Sequence, residues 1–146
     1  MDFICKTFDE LTTKELYEII KARVQIFVIE QNCPYQDLDG KDYISTHVFS
    51  QDDNGNVTSC LRLFIKDKVS DTVQLGRVLT VEHGKGLGGK LLHEGVEIAK
   101  EKLNAKKIYI EAQQYAIGYY EKEGFEVCSD VFLEDGIPHV KMELNL

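Results

Sequence analysis

The sequence of 146 residues lacks three features, and each absence excludes a class of protein or site. No apolar run approaches the roughly 20 residues that a membrane-spanning helix requires, so we expect no membrane partner. Lys and Arg total 17 against 25 Asp and Glu, and the formal net charge of -8 argues against a nucleic-acid partner, which needs clustered cations. The four cysteines form no C-x-x-C pair, so we expect neither a bound metal nor a disulfide framework.

The N-terminus has no charged start followed by an apolar block, which predicts that there is no signal peptide. Free thiols also fit the reducing cytoplasm, where we expect the protein to act. The composition, 43% hydrophobic and 29% charged, is that of a globular protein, and the length predicts one domain over residues 1–146. An acidic surface of this kind favours cationic small molecules as partners.

Hydrophobic periodicity predicts ten elements in the order β-α-β-β-β-α-β-α-β-β. This order describes an antiparallel meander followed by one β-α-β unit, so the predicted fold class is α+β and not a doubly wound sheet. The predicted helices cover about 13–31, 87–103 and 115–123. The predicted strands are 3–8, 45–51, 57–67, 72–81, 106–112, 125–134 and 139–146.

The segment HGKGLGGKLL, residues 83–92, joins a predicted strand to the second helix. Glycines at a helix start leave backbone N–H groups free at the positive end of the helix dipole, which predicts an anion site. A nucleotide phosphate loop needs Ser or Thr after its lysine, but Leu91 follows Lys90 here. A dinucleotide-binding fold needs several successive β-α units, and only one follows this strand. A third ligand with a pyrophosphate is coenzyme A, and a tight strand-to-helix connection without a ligand is the alternative.

Two stretches in this order of elements, GKGLGGKLL and AIGYYEKEGFE (116–126), resemble the GNAT superfamily of N-acetyltransferases. Three further stretches, FVIEQNCPYQDLDGKD (27–42), LGRVLTV (75–81) and FLEDGIPHVKME (132–143), resemble its ElaA-like subgroup. The resemblance covers essentially the whole chain. It implies a mixed, mostly antiparallel central sheet flanked by helices, and acetyl-CoA as the co-substrate for transfer to a small-molecule amine. The chain departs from the family motif at His83, where Arg or Gln is usual, and in a shorter preceding loop.

The resemblance also places the cofactor. It puts pantetheine alongside the end of the strand 72–81, where one backbone N–H would polarise the thioester carbonyl. It puts the pyrophosphate on the glycine turn, and Gln113 where the family often has Asn. The implied cofactor contacts are Leu79, Thr80, Val81, Gly84, Lys85, Gly86, Leu87, Gly88, Gly89, Gln113 and Tyr120.

Tyr120 lies at the tyrosine of the family's F-Y-x-K-x-G-F signature, which reads YYEKEGF here. A phenol stays protonated at neutral pH and can donate its proton to a departing thiolate, so we predict that Tyr120 is the general acid. For the general base we favour Glu30 and then Glu111, while His139, His47 or a bound water stay open as alternatives.

The expected acceptor contacts are Glu30, Arg77 and His139, although Arg77 can instead pair with a neighbouring carboxylate. Several acids fall in segments that the resemblance places around the acceptor, which favours a cationic amine: Glu30, Asp37, Asp39, Asp42, Glu134 and Asp135. The alternative function is a non-catalytic acyl-CoA sensor or interaction module. A C-terminal hairpin with an exposed edge strand would also permit a homodimer.

Overall fold

The computed structural model describes residues 2–84 and 86–146, and within them one eight-stranded sheet carries three α-helices. The strands are β1 Ile4–Thr7, β2 Thr46–Gln51, β3 Val57–Asp67, β4 Thr72–Thr80, β5 Lys107–Gln113, β6 Glu126–Val127, β7 Phe132–Glu134 and β8 Ile137–Asn145. The helices are α1 Thr13–Arg23, α2 Leu87–Glu101 and α3 Ile117–Glu121. In this part of the chain, no helix combines the length and the apolar character needed to cross a bilayer.

The strands are ordered β1-β2-β3-β4-β5-β8-β6, and β7 also pairs with β8. Only β4 and β5 run parallel among the described pairs, so the predicted α+β class and mostly antiparallel sheet are confirmed. The prediction of one strand over 125–134 was wrong, because two short strands, β6 and β7, pair separately with β8. Between them the Ser129 hydroxyl accepts the Lys141 N–H at 2.8 Å and takes the place of a backbone partner.

The larger core lies between α2 and one face of the sheet. Helix α2 follows the predicted apolar stripe, since residues at helical spacing are buried together. They pack against alternate residues of β3, β4 and β5, which point to the same face. The helix side of this core consists of Leu91, Leu92, Val96, Ile98 and Ala99, and the sheet side includes Leu61, Leu63, Leu75, Ile108 and Ile110.

Helix α1 packs on the opposite face, where Ile19 and Ala22 meet Phe49, Cys60 and Leu79. A π-helical segment, Val24–Glu30, continues it, and its wider turn changes which side chains face the sheet. Helical periodicity in the sequence predicts an apolar face of Leu16, Ile19, Ile20, Val24 and Phe27 for this helix. Val24 is exposed instead, and Arg23 beside it is buried. Helical periodicity predicts that charged residues lie on the solvent side of a helix. Arg23 is buried instead, because its charge is paired with carboxylates inside the fold.

The parallel pair β4–β5 separates soon after it begins. Only Thr72–Gln74 of β4 pair with Lys107–Tyr109 of β5, although both strands continue beyond these residues in the described chain. A bulge in β4 lies beyond the last pair, where Arg77 adopts a left-handed φ of 52°. The two strands therefore leave an opening, the β4–β5 gap, whose backbone groups have no ladder partner across it.

Candidate active site

The start of α2 is an uncapped helix terminus. Gly86 is the N-cap residue with a left-handed φ of 71°, no side chain caps the helix, and its first turn contains no acid. Gly84 also has a positive φ, of 82°, as expected for a glycine turn. Nothing lies within 4 Å of where a Cβ would stand on Gly84, Gly86 or Gly89. The first-turn N–H groups, which include those of Gly88 and Gly89, have no partner within the helix and suit an anion such as pyrophosphate. Lys85, a predicted contact, lies outside the described residues.

Helix α3 is fastened to this turn by Tyr119. The Tyr119 hydroxyl donates a hydrogen bond of 2.5 Å to the carbonyl of Gly88, in the first turn of α2. No sequence pattern distinguishes Tyr119 from an ordinary packing aromatic, and only the fold brings the two helices together. Burial raises the pKa of Tyr119, so the phenol keeps the proton that it donates.

Tyr120, the predicted acid, is buried beside it at 9% exposure. Its ring packs edge-on against Tyr119, with centroids 4.9 Å apart, and against Phe125 at 5.8 Å. Burial raises the pKa of Tyr120, so its phenol is protonated at neutral pH. No described residue forms a hydrogen bond with its hydroxyl. The side chain is therefore positioned by packing alone and retains a proton to donate.

The ladder between β3 and β4 distinguishes the three predicted backbone contacts at the end of β4. The N–H of Val81 donates to the carbonyl of Thr58 at 2.9 Å and is unavailable to a ligand. Paired residues of an antiparallel ladder alternate between hydrogen-bonded and non-hydrogen-bonded positions. Because Thr80 pairs with Ser59 next to that bond, its N–H and carbonyl point away from β3. Of these residues, Thr80 directs its N–H towards the β4–β5 gap, whereas Leu79 faces β3.

The face of β5 that α1 leaves uncovered carries a row of polar side chains. Tyr109 donates to Glu111 Oε2 at 2.9 Å, and Gln113 follows at the end of the strand. The amide oxygen of Gln113 accepts from Gln31 at 3.3 Å, which brings the end of the π-helical segment to the gap. Glu30, immediately before Gln31, is exposed at this rim. The structure thus brings Glu30, Glu111 and Gln113 to one opening.

The β7–β8 hairpin adds His139 and Glu134 to this opening. His139 pairs in register with Gln113 and is 7% exposed. Its Nδ1 lies 2.7 Å from the carbonyl of Ile137, which can only accept, so Nδ1 carries the proton. Its Nε2 lies 3.4 Å from Glu134 Oε2. Burial and the neighbouring Glu111 carboxyl raise the pKa of Glu134, against the opposing effect of His139. Glu134 lies within the stretch FLEDGIPHVKME, but the sequence does not distinguish it from the neighbouring Asp135.

Three of the acids assigned to the acceptor side have other partners. Asp37, Asp39 and Asp42 bind three arginines that come from α1, β3 and β4, and we call this group the Arg–Asp cluster: Arg23, Arg62, Arg77, Asp37, Asp39 and Asp42. Its three positive and three negative charges cancel. The interpretation of these aspartates as an attraction for a cationic acceptor is therefore corrected. The polar loop QDLDGKD (36–42) is mostly exposed, and only Asp37 and Asp42 within it are buried.

The protonation states follow from this pairing. Burial raises the pKa of Asp39 and of Asp42, but hydrogen bonds from Arg62 and Arg23 outweigh it and bring both pKa values below the ordinary range. His47 is buried below the same loop, with Nε2 3.0 Å from the Asp42 carbonyl, and burial lowers its pKa. It faces the Arg–Asp cluster and not the gap. In the described chain, no three side chains of His, Cys, Asp or Glu are grouped closely enough to hold a metal ion.

Comparisons with known proteins agree with this geometry. The acetyltransferase (GNAT) domain model matches residues 9–146. A UPF0039 protein of Schizosaccharomyces pombe is 38% identical over 100% of this chain and 98% of its own length. The solved structure of an acyl-CoA N-acyltransferase from Pseudomonas aeruginosa superposes with a TM-score of 0.89 at 36% identity, covering 98% of this chain and 99% of that one. Escherichia coli ElaA superposes with a TM-score of 0.89 at 30% identity, covering 97% of each chain.

Proposed function

Because the chain belongs to the GNAT family of acetyltransferases, in its ElaA-like subgroup, and is an N-acetyltransferase, we propose a specific reaction for it. It transfers an acetyl group from acetyl-CoA to a small cationic amine by direct attack in a ternary complex. The observation that carries this proposal is the uncapped start of α2 next to the β4–β5 gap. The backbone of Gly84, Gly86 and Gly89 would hold the pyrophosphate, and the gap would admit the thioester end.

When bound, acetyl-CoA supplies the thioester whose carbonyl carbon the amine attacks. The N–H of Thr80 is the backbone donor that the β3–β4 register leaves for an oxygen gaining negative charge. Tyr120 holds a phenol proton that it can give to the leaving sulfur as negative charge develops on it. The ring packing around Tyr120 fixes the direction of that donation. Thr80 would therefore polarise the acyl group, and Tyr120 would protonate the leaving group.

For the general base, the geometry supports Glu111 more than Glu30. Glu111 is half-buried, is oriented by the Tyr109 hydroxyl and lies on the strand that borders the gap. Glu30 is exposed at the rim, where a proton exchanges directly with solvent. We expect Glu111→Gln to lower kcat about 100-fold, because an amide cannot take the proton of the amine. Glu30→Gln serves as the matched control. A larger loss of kcat in Glu30→Gln than in Glu111→Gln would identify Glu30 as the general base.

The carboxylates that remain unpaired with arginine favour a cationic acceptor. Glu30, Glu111, Glu134 and Asp135 border the opening on three elements, outside the Arg–Asp cluster. An ammonium group that enters there meets net negative charge. The first experiment is calorimetric titration with acetyl-CoA, followed by CoA release across pairs of cationic and neutral amines of equal length. Preference for the cationic member is expected, while equal turnover would contradict it. Binding without turnover of any amine would indicate an acyl-CoA sensor.

The variant Tyr120→Phe distinguishes an effect on acetyl-CoA binding from an effect on the rate of acetyl transfer. The substitution keeps the ring that packs against Tyr119 and Phe125 but removes the phenol proton. We expect kcat to fall at least about tenfold at unchanged acetyl-CoA affinity, in line with the usual contribution of a positioned acid. Tyr119→Phe is the companion variant, because it removes the bond to Gly88 and should weaken acetyl-CoA binding instead. An unaltered kcat in Tyr120→Phe would exclude it as the acid.

A further inference from the structure

Arg77 has an unusual backbone conformation at the point where β4 leaves β5. Its φ of 52° lies in the left-handed region, which residues with a Cβ seldom occupy. Two residues of β4, Arg77 and Val78, stand opposite Leu61 alone in β3, which is a β-bulge. Thr80 lies three residues further on. The bulge sets the register in which Thr80 pairs with Ser59, so the contacts that hold the bulge also set the direction of the Thr80 N–H.

The Arg77 side chain is held by the loop that precedes β2. Its Nε lies 2.9 Å from Asp37 Oδ1 as an ion pair, without the alignment of a hydrogen bond. Its Nη2 donates to the Asp37 carbonyl at 3.0 Å and reaches Asp39 Oδ2 at 3.4 Å. The guanidinium also lies 5.7 Å from the centroid of the Tyr35 ring. Asp37 thus contacts Arg77 through both its side chain and its backbone.

Asp37 is itself fixed from the other side. Its Oδ2 accepts from Arg23 Nε at 2.8 Å, and its Oδ1 accepts from the Tyr35 hydroxyl at 2.8 Å. Arg23 belongs to α1, is 1% exposed and is bound by both oxygens of Asp42. The connection therefore runs from a buried helix through Asp37 to the bulge. Surface ion pairs contribute little, but a buried pair with several hydrogen bonds restrains its members strongly.

We propose that Asp37 is a positioning residue that acts through Arg77: this Asp37–Arg77 clamp holds the β4 bulge, keeps the β4–β5 gap open and aims the Thr80 N–H into it. The inference rests on the proposed function, because the gap and the Thr80 N–H matter through acetyl-CoA. It assigns Arg77 to the scaffold and not to an acidic group of the acceptor. In this proposal the loop 35–42 connects α1 to β4, because Asp37 binds Arg23 of α1 and Arg77 of β4.

The test compares Asp37→Asn with Asp42→Asn. Both variants remove one buried negative charge from the Arg–Asp cluster, but Asp42 contacts Arg23 and Arg62 and not Arg77. Both should lower the melting temperature. Only Asp37→Asn should lower kcat, by about 100-fold, because small misplacements at a reacting centre cost about that much. Equal kcat losses in the two variants, or wild-type kcat in Asp37→Asn, would overturn the clamp.

Amide NMR spectra without ligand give a second readout that does not depend on activity. We expect the Thr80 amide resonance to move or broaden in Asp37→Asn and to stay in place in Asp42→Asn. If Asp37→Asn does not fold, Arg77→Lys answers the same question, since it keeps the charge but loses the contact to the Asp37 carbonyl. An unmoved Thr80 amide in that variant would contradict the clamp. Failure of the wild-type protein to bind acetyl-CoA would instead defeat the proposed function and leave this readout valid.

Discussion

The two long helices begin in opposite ways. At α1, Thr12 Oγ1 accepts the N–H of Glu15 at 3.0 Å, and Glu15 Oε1 accepts the N–H of Thr12 at 2.8 Å, which completes a capping box. At α2 the equivalent positions are Gly86 and Gly89, which have no side chain to offer. Both termini present the same orphan N–H groups and the same dipole. At α1 the capping box satisfies the N–H groups of Thr12 and Glu15, while at α2 no side chain caps the helix.

Under the proposed function, the start of α1 serves stability and the start of α2 serves binding. A cap stabilises the folded chain at all times, whereas an uncapped terminus gains its partner only when an anion arrives. The glycines cost helix stability, because each is less favourable in a helix than alanine by about 0.8–1 kcal/mol. We therefore expect that any substitution that caps the start of α2, as the start of α1 is capped, stabilises the protein and weakens the binding of acetyl-CoA.

The largest effect is expected from Gly89→Glu, which places an acid at the position that Glu15 occupies in α1. The carboxylate would take the free N–H groups and repel the pyrophosphate. We expect the acetyl-CoA affinity to fall at least about 100-fold, equivalent to about 2.7 kcal/mol. The free energy of unfolding should rise by about 1 kcal/mol, since glycine is replaced and the dipole is complemented. Calorimetry and urea unfolding measure the two quantities.

Gly89→Ala is the matched control, because it supplies the helix propensity without the charge. A Cβ at Gly89 meets no protein atom within 4 Å, so the fold should accept it. Its stability should rise as in Gly89→Glu, with a smaller loss of affinity. Equal affinity in the wild-type protein and both variants would show that the start of α2 does not bind the cofactor.

A smaller effect is expected from Thr12→Ala, which removes the side-chain cap of α1. Loss of such a cap costs about 1 kcal/mol of the free energy of unfolding. The affinity for acetyl-CoA should not change, because α1 lies on the other face of the sheet from α2. Urea unfolding and calorimetry on the same preparation check both statements. Reduced affinity would mean that the two helix starts are coupled.

The smallest effect is the pH dependence of the α1 cap. Burial raises the pKa of Glu15, but hydrogen bonds from Thr12 and Lys6 outweigh it, so its pKa lies below the ordinary value. Such a group stabilises the fold above its unfolded pKa near 4.3, and this contribution is lost as the pH falls through the lower folded pKa. Glu15→Gln should therefore be less stable than the wild-type protein by up to about 1 kcal/mol at pH 6. The difference should vanish in acid, as unfolding titrations can show, and a constant difference would refute this account.

Much of the fold could be predicted because its signals are local. The order of strands and helices, the bounds of β3 and the apolar stripe of α2 follow from periods of two and 3.6 residues. The errors occur where tertiary contacts override those periods. Arg23 is buried within an otherwise amphipathic helix because two aspartates lie against it. The segment 125–134 divides because one hydroxyl replaces a ladder bond.

The candidate site divides in the same way. The glycine turn and the Tyr120 signature are contiguous, so the sequence alone indicated a pyrophosphate site and an acid. Contacts between residues far apart in the chain could not be predicted from the sequence: Tyr119 with Gly88, Gln31 with Gln113, and the Arg–Asp cluster. Composition alone could not tell that three aspartates already had arginine partners, since it counts charges without their neighbours.

By itself, the sequence determined the order of elements up to α3, the family resemblance and the uncapped glycine start of α2, because each depends on residues close together in the chain. Only the tertiary structure decided which charges are free, which backbone N–H faces the gap, and which residue holds the bulge beside it. Asp37 lies 40 residues before Arg77, and no local pattern links them. Their pairing follows from the packing of α1 against the face of the sheet that contains β4, because Arg23 of α1 holds Asp37 beside Arg77.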